Sequence, residues 1–137
     1  MTLDPRTWTT KTAEAISAAM QAATLAGHSE LTPHHLLAEL LKQDGTVVSP
    51  VLAKLGLPVN KVAEKCAGTL SKLPIVTGGA EPRLNRELAA VFAAAKELQA
   101  EFRDDYLSVE LLLLAMHEVV GVPREELLSA VRLVRGS

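Results

Sequence analysis

Three groups of side chains in this 137-residue chain could do chemistry: the four histidines His28, His34, His35 and His117, the lone Cys66, and the carboxylates Asp104, Asp105 and Glu110. Adjacent histidines suggest a metal site, but neighbours on a helix point about 100° apart, so His34 and His35 are not expected to share an ion. No His-Glu-x-x-His zinc motif is present. His28 follows Gly27, a helix-ending residue, where an imidazole complements the negative end of the helix dipole. All four histidines read as surface, cap or partly buried core. Cys66 falls on the apolar side of a helix and reads as a small buried hydrophobe rather than a reactive thiol. Paired carboxylates can do general acid–base work. Here Asp104 and Asp105 fall in a turn between helices, and Glu110 stands two residues past Ser108, where a negative charge stabilises the exposed amides of a helix's first turn. The sequence also has no P-loop and no Rossmann glycine fingerprint. Neither catalysis nor a metal site is therefore expected, and no cofactor is assigned to this chain.

The composition is that of a soluble globular protein: 48% hydrophobic, 22% charged, net charge −2. The near-neutral balance leaves no basic stripe for nucleic acid. The aromatic set, Trp8, Phe92, Phe102 and Tyr106, is too small for base stacking. One cysteine allows no internal disulfide and points to a reducing compartment. Met1 to Lys11 does not resemble a signal peptide, and the apolar run Leu111 to Met116 is far too short to cross a membrane. The expected setting is cytoplasmic, with neither membrane nor nucleic acid as partner.

Positioning these residues falls to helices. Alanine and leucine dominate, and apolar residues recur at helical spacing. The first helix is expected from Thr9 or Thr10 to Ala26, with Ala15, Ile16, Ala19, Met20 and Ala23 on one face. Thr32-Pro33 opens a second, which presents Leu36, Leu37, Leu40 and Leu41. Ser49-Pro50 is expected to cap a short third helix ending at Gly56, and a fourth runs from Val59 to Leu73 with Val62, Cys66 and Leu70 inward. A linker, residues 74 to about 84, carries Gly78-Gly79 and is expected to cross outside the bundle.

The pattern then restarts. A shift of 76 positions aligns Ala13 with Ala89, Ile16 with Phe92, Leu31-Thr32 with Leu107-Ser108, and Leu36-Leu37 with Leu112-Leu113. Further on, Gly56-Leu57-Pro58 aligns with Gly121-Val122-Pro123 at a shift of 65, so the second copy is 11 residues shorter and is expected to lack the Ser49 helix. The fold class is all-α: one domain over 1–137, a pseudo-twofold bundle of two tandem repeats (about 9–73 and 85–135) with about seven to eight helices.

The stretch Gly27-His28-Ser29-Glu30-Leu31-Thr32-Pro33-His34-His35-Leu36-Leu37 resembles the signature of Clp N-terminal domains, and Asp104 to Leu112 is a degenerate echo of it. Trp8 to Thr12, Leu73 to Gly78 and Val134 to Gly136 narrow the resemblance to ClpB-type disaggregases. That resemblance implies the N-terminal, substrate-engaging module of a hexameric AAA+ machine, which uses ATP and Mg and works with a DnaK-type chaperone system. The implied partners are unfolded or aggregated proteins, and the isolated domain is expected to be monomeric and without ATPase activity. Two sets carry over by position: a polar set, Thr9, Asp104 and Glu110, and a hydrophobic groove of Val91, Phe92, Ala95, Leu98 and Leu111. Ala94 and Ala95 are small and would make that groove shallow. The alternative is an adaptor-docking or free-standing interaction module, as in the related ClpA and ClpC domains.

Overall fold

The computed structural model describes residues 3–136. Thr9 caps α1 (Thr10–Ala26), its hydroxyl accepting from the Thr12 amide, and Gly27 ends it in the left-handed conformation. Thr32 caps α2 (Pro33–Lys42), followed by α3 (Val48–Lys54) and α4 (Val59–Leu70). In the second half, Asn85 caps α5 (Arg86–Phe102), followed by α6 (Val109–Ala115), α7 (His117–Val120) and α8 (Arg124–Arg135).

The 76-residue correspondence is structural as well as sequential. The helices α1 and α5 each have 17 residues, and their caps Thr9 and Asn85 accept from Thr12 and Leu88, which also correspond. Gly27 and its counterpart Arg103 are both left-handed, with φ 74° and 57°. Two short β elements, absent from the sequence reading, tie the halves together. Glu30–Leu31 (β1) pairs in parallel with Arg83–Leu84 (β2), and Trp8 bridges to Leu107 in the same sense. Leu31 corresponds to Leu107 and Leu84 to Trp8, so each half lends the start of its first long helix to the other half's inter-helix turn. The amide of Thr9 donates to the Leu107 carbonyl at 3.0 Å, and that of Asn85 to the Leu31 carbonyl at the same distance.

The core is continuous across the two repeats. Leu36, Leu37 and Leu40 of α2 and Leu111 to Leu114 of α6 are fully buried, and α2 touches α5, α6 and α7, while α3 packs on α8. Three local expectations are corrected. The third helix starts at Val48, where the Thr46 hydroxyl accepts from the Val48 amide, so Ser49 and Pro50 lie inside the first turn. The fourth ends at Leu70 rather than Leu73. The second repeat keeps a counterpart of its third helix as the single turn α7, which follows α6 through a kink at Met116 (φ −108°, ψ 32°). The linker residues 74–81 are exposed, yet the Val76 amide donates to the Gly27 carbonyl at 2.8 Å and pins the strap to the end of α1.

Candidate functional site

The N-terminal segment and the outer face of α5 form a cleft of about 860 Å3 whose walls include Leu3, Trp8, Phe92, Ala93, Ala100 and Leu107. Trp8 is held there by the backbone. Asp4 caps the 3-10 turn Pro5–Thr7, the Leu107 amide donates to the Thr7 carbonyl at 2.7 Å, and Thr9 returns the bond to Leu107. The indole then stacks against Phe92, with ring centroids 6.4 Å apart and planes 21° apart, a favourable aromatic geometry. Trp8 is only half-buried, so the pair offers an apolar surface to solvent.

Of the five groove positions, Phe92 alone lines this cleft. Val91, Phe92, Ala95, Leu98 and Leu111 are all buried, Ala95 and Leu111 completely. Leu98 reaches a second, smaller depression beside Leu114 and Arg124. The set is a helix-packing core between α5 and α6 rather than an open groove, because α6 closes over the face that helical spacing aligns.

The two acids of the polar set meet on one cation that the sequence reading overlooked. Arg135, in the last turn of α8, donates from both terminal nitrogens to Asp104 (2.7 and 3.2 Å) and from Nε to Glu110 Oε2 (2.9 Å). It also donates to the Ser108 hydroxyl at 3.1 Å, which explains why Ser108 makes no side-chain cap on α6. The hydrogen bonds to Asp104, and the charges of both acids, raise the Arg135 pKa above its ordinary value. Glu110 is therefore buried against a guanidinium instead of facing the first-turn amides. The guanidinium groups of Arg132 and Arg135 each lie 4.9 Å from the centre of the Phe102 ring. Thr9 touches neither acid; its hydroxyl is spent on Thr12. Nothing in the sequence ties Arg135 to these acids, 25 residues from one and 31 from the other.

The histidines also pair across a turn. His28 Nδ1 and His35 Nε2 are 2.8 Å apart, and His35 Nδ1 accepts from the Thr32 amide at 2.9 Å to complete a capping box. An acceptor Nδ1 carries no proton, so the His35 Nε2–H donates to His28. Burial, reinforced by the neighbouring His28 and His34, pushes the His35 pKa down to about 4. Cys66 is buried and free, and its burial pushes the thiol pKa up, away from nucleophilic chemistry. No group of three or more His, Cys, Asp or Glu side chains among the described residues could hold a metal ion. Nor is any helix among them long and apolar enough to cross a membrane.

The family model described as "Clp repeat (R) N-terminal domain" matches residues 7–130. The chaperone protein ClpB of Corynebacterium diphtheriae is 39% identical over 110 residues, which are 79% of this chain and 13% of that protein. The chain thus spans about an eighth of the length of the curated relatives it matches. The Hsp104 N-terminal domain from Candida albicans superposes with a TM-score of 0.81 at 18% identity, covering 95% of this chain and 92% of that one. A complex of the ClpV N-domain with a VipB peptide gives 0.77 at 20%, covering 98% and 96%. Both share the paired-repeat helical fold. The chain belongs to the Clp repeat N-terminal domain family, and its sequence is similar to the N-terminal regions of ClpB chaperones.

Proposed function

We propose that this chain recognises unfolded or aggregated polypeptide and helps deliver it to the ATPase ring of a cytoplasmic ClpB-type disaggregase that works with a DnaK-type system. The observation that carries this reading is the Trp8–Phe92 cleft, a largely apolar surface that solvent reaches. Exposed apolar surface of this kind takes up the apolar segments that unfolded chains display, with little sequence preference. Support also comes from the fold: a neighbour with the same architecture, the ClpV N-domain, has been solved with a VipB peptide. Phe92 contacts the bound segment in this reading, while Val91, Ala95, Leu98 and Leu111 hold it from beneath. Thr9, Asp104 and Glu110 serve polar groups of the substrate in this reading, Arg135 being the cation that the two acids hold at rest.

Trp8 is the only tryptophan, so its emission reports the cleft directly. Titration with a reduced, carboxymethylated and hence permanently unfolded protein should shift Trp8 emission saturably, and the native form of the same protein should not. Ala93→Glu places a charge on the exposed wall of the cleft without entering the core. It should weaken binding at least tenfold at an unchanged melting temperature. Equal binding by this variant would remove the cleft from the mechanism.

A further inference from the structure

The first repeat carries a groove of its own, about 730 Å3, between the end of α1, the outer side of α2, α4 and the strap at Ile75. The pseudo-twofold shows why it is open. Ala22, Ala26, Ala63 and Ala67 stand along its walls. At the 76- and 65-residue shifts, the corresponding residues of the second repeat are Leu98, Phe102, Leu128 and Arg132. There the space is filled from within: Leu98 is buried, Leu128 packs against the core, and Phe102 is clasped by Arg132 and Arg135. Four alanines in place of two leucines, a phenylalanine and an arginine leave the first repeat's copy of the site unfilled by its own side chains.

What would fill it follows from charge and shape. The charged residues lining the groove, Glu39 and Lys42, pair with each other at 3.2 Å. His28 and His35 sit at its floor, bonded to one another, and burial keeps His35 neutral near pH 7. A charged side chain entering the groove would find no partner, whereas apolar side chains would lose water on all sides. The apolar surface continues outward over Ile75 and Val76, which are 75% and 50% exposed. We propose that this groove is a second docking site, separate from the Trp8–Phe92 cleft, for a partner polypeptide segment bearing a leucine and an aromatic residue one helical turn apart. The proposal rests on the polypeptide-binding reading above and adds to it the place and the side-chain character of a second contact.

The probe is a fluorescein-labelled peptide copying residues 94–103 of this chain, which contains Leu98 and Phe102 four residues apart. A control peptide has both replaced by serine. Fluorescence anisotropy should show saturable binding of the first peptide and at least tenfold weaker binding of the control. Ala26→Phe and Ala67→Arg, both at exposed positions, install the second repeat's own filling. Each should cut peptide binding at least tenfold while leaving the melting temperature unchanged or higher, and Ala93→Glu should bind the peptide normally. Wild-type-like binding by the two filled variants would overturn the proposal, as would loss of the peptide in Ala93→Glu, which would put it in the cleft. So would a wild-type dimer in sedimentation that Ala26→Phe dissolves, which would make a second copy the occupant. A Trp8 response to unfolded protein with no peptide binding would sink the groove alone; peptide binding without a Trp8 response would sink the cleft alone.

Discussion

Protonation of His35 should unlatch the first repeat in a pH window set by its burial. The ring is 2% exposed, and both nitrogens are committed, Nδ1 to the Thr32 amide and Nε2 to His28. A proton added at Nδ1 would face a donor, break the capping box of α2 and put a buried charge beside His28. The folded-state pKa is depressed from 6.5 to about 4. The stabilisation is therefore complete above pH 6.5, where both states are neutral, and is lost as pH falls toward 4, because the unfolded chain takes up the proton first. Each pH unit inside that window is worth about 1.4 kcal/mol, so the loss should reach about 2 kcal/mol at pH 5 and about 3 kcal/mol at pH 4. Against the 5–15 kcal/mol typical of a folded domain, that is a large share.

Carboxylates titrate nearby, so the measurement must isolate His35. His35→Leu does so, because the residue 76 positions on is Leu111 and the fold already accommodates leucine there. Urea unfolding followed by circular dichroism at pH 7.0, 6.0, 5.5 and 5.0 gives a stability curve for each protein. The variant starts about 1 kcal/mol lower because α2 loses half its capping box, but its curve should be flatter, so that the two converge and cross before pH 5. Parallel curves over this range would refute the buried neutral imidazole, whatever the baseline difference.

Arg135→Met should lose about 1–3 kcal/mol, since it strands two partly buried carboxylates and removes three charge-assisted bonds, two to Asp104 and one to Glu110; urea midpoints at pH 7 measure this, and a loss under 0.3 kcal/mol would show the cluster to be solvated. Asp104→Asn and Glu110→Gln should be non-additive with Arg135→Met in double-mutant cycles, and additive losses would contradict the shared guanidinium. Gly27→Ala should cost more than Gly56→Ala by about 1 kcal/mol or more. Both residues have positive φ, but a Cβ at Gly27 would lie 2.9 Å from Ile75 Cγ2 and 3.2 Å from the Val76 carbonyl, whereas at Gly56 nothing lies within 4 Å; equal thermal midpoints would mean that the strap does not rest on α1. Leu111→Ala should destabilise by about 2–5 kcal/mol as a cavity in the shared core, and a change within 0.5 kcal/mol would return Leu111 to the surface.

Much of the fold is written in local chemistry. Thr9, Thr32-Pro33 and Gly27 act within four residues of themselves, and they place both ends of α1 and the start of α2. The pairing of the repeats is equally legible, because caps and Leu-Leu pairs repeat at a fixed offset. What the sequence hides depends on partners far along the chain or on competing local bonds. At α3 the helix starts one residue before Ser49, with the Thr46 hydroxyl accepting from the Val48 amide, so the cap that Ser49-Pro50 advertises is not used. The β1–β2 pairing involves two residues a side, too few for a period to register. The 11-residue deletion reads as a missing helix, yet α6 kinks at Met116 and recovers one turn. The apolar set on α5 has the right spacing for either a groove or a core, and only the position of α6 decides between them.

The two halves share a backbone plan and differ in how they finish it. At the end of its first long helix, repeat two places Phe102, Asp104, Glu110 and the arginines of α8, a set that satisfies itself through ion pairs and cation–π contacts. Repeat one places Ala26, His28, His34, Ala67 and Leu70 at the same positions, and all of these but His34 line the open groove. Sequence inspection draws attention to the second half, since the acids and most of the aromatics lie there. Structure reverses part of that inference, because interacting side chains gathered in one place close a site as readily as they make one. The chemically plainer half, poor in charge and rich in alanine, keeps apolar surface open. That surface lies between a histidine pair and a strap whose Val76 amide bonds the Gly27 carbonyl. Because the Gly27 carbonyl holds the strap and the adjacent His28 holds His35, loss of the histidine pair at low pH should loosen the strap and the groove together, while the arginine-clasped counterpart in repeat two stays shut.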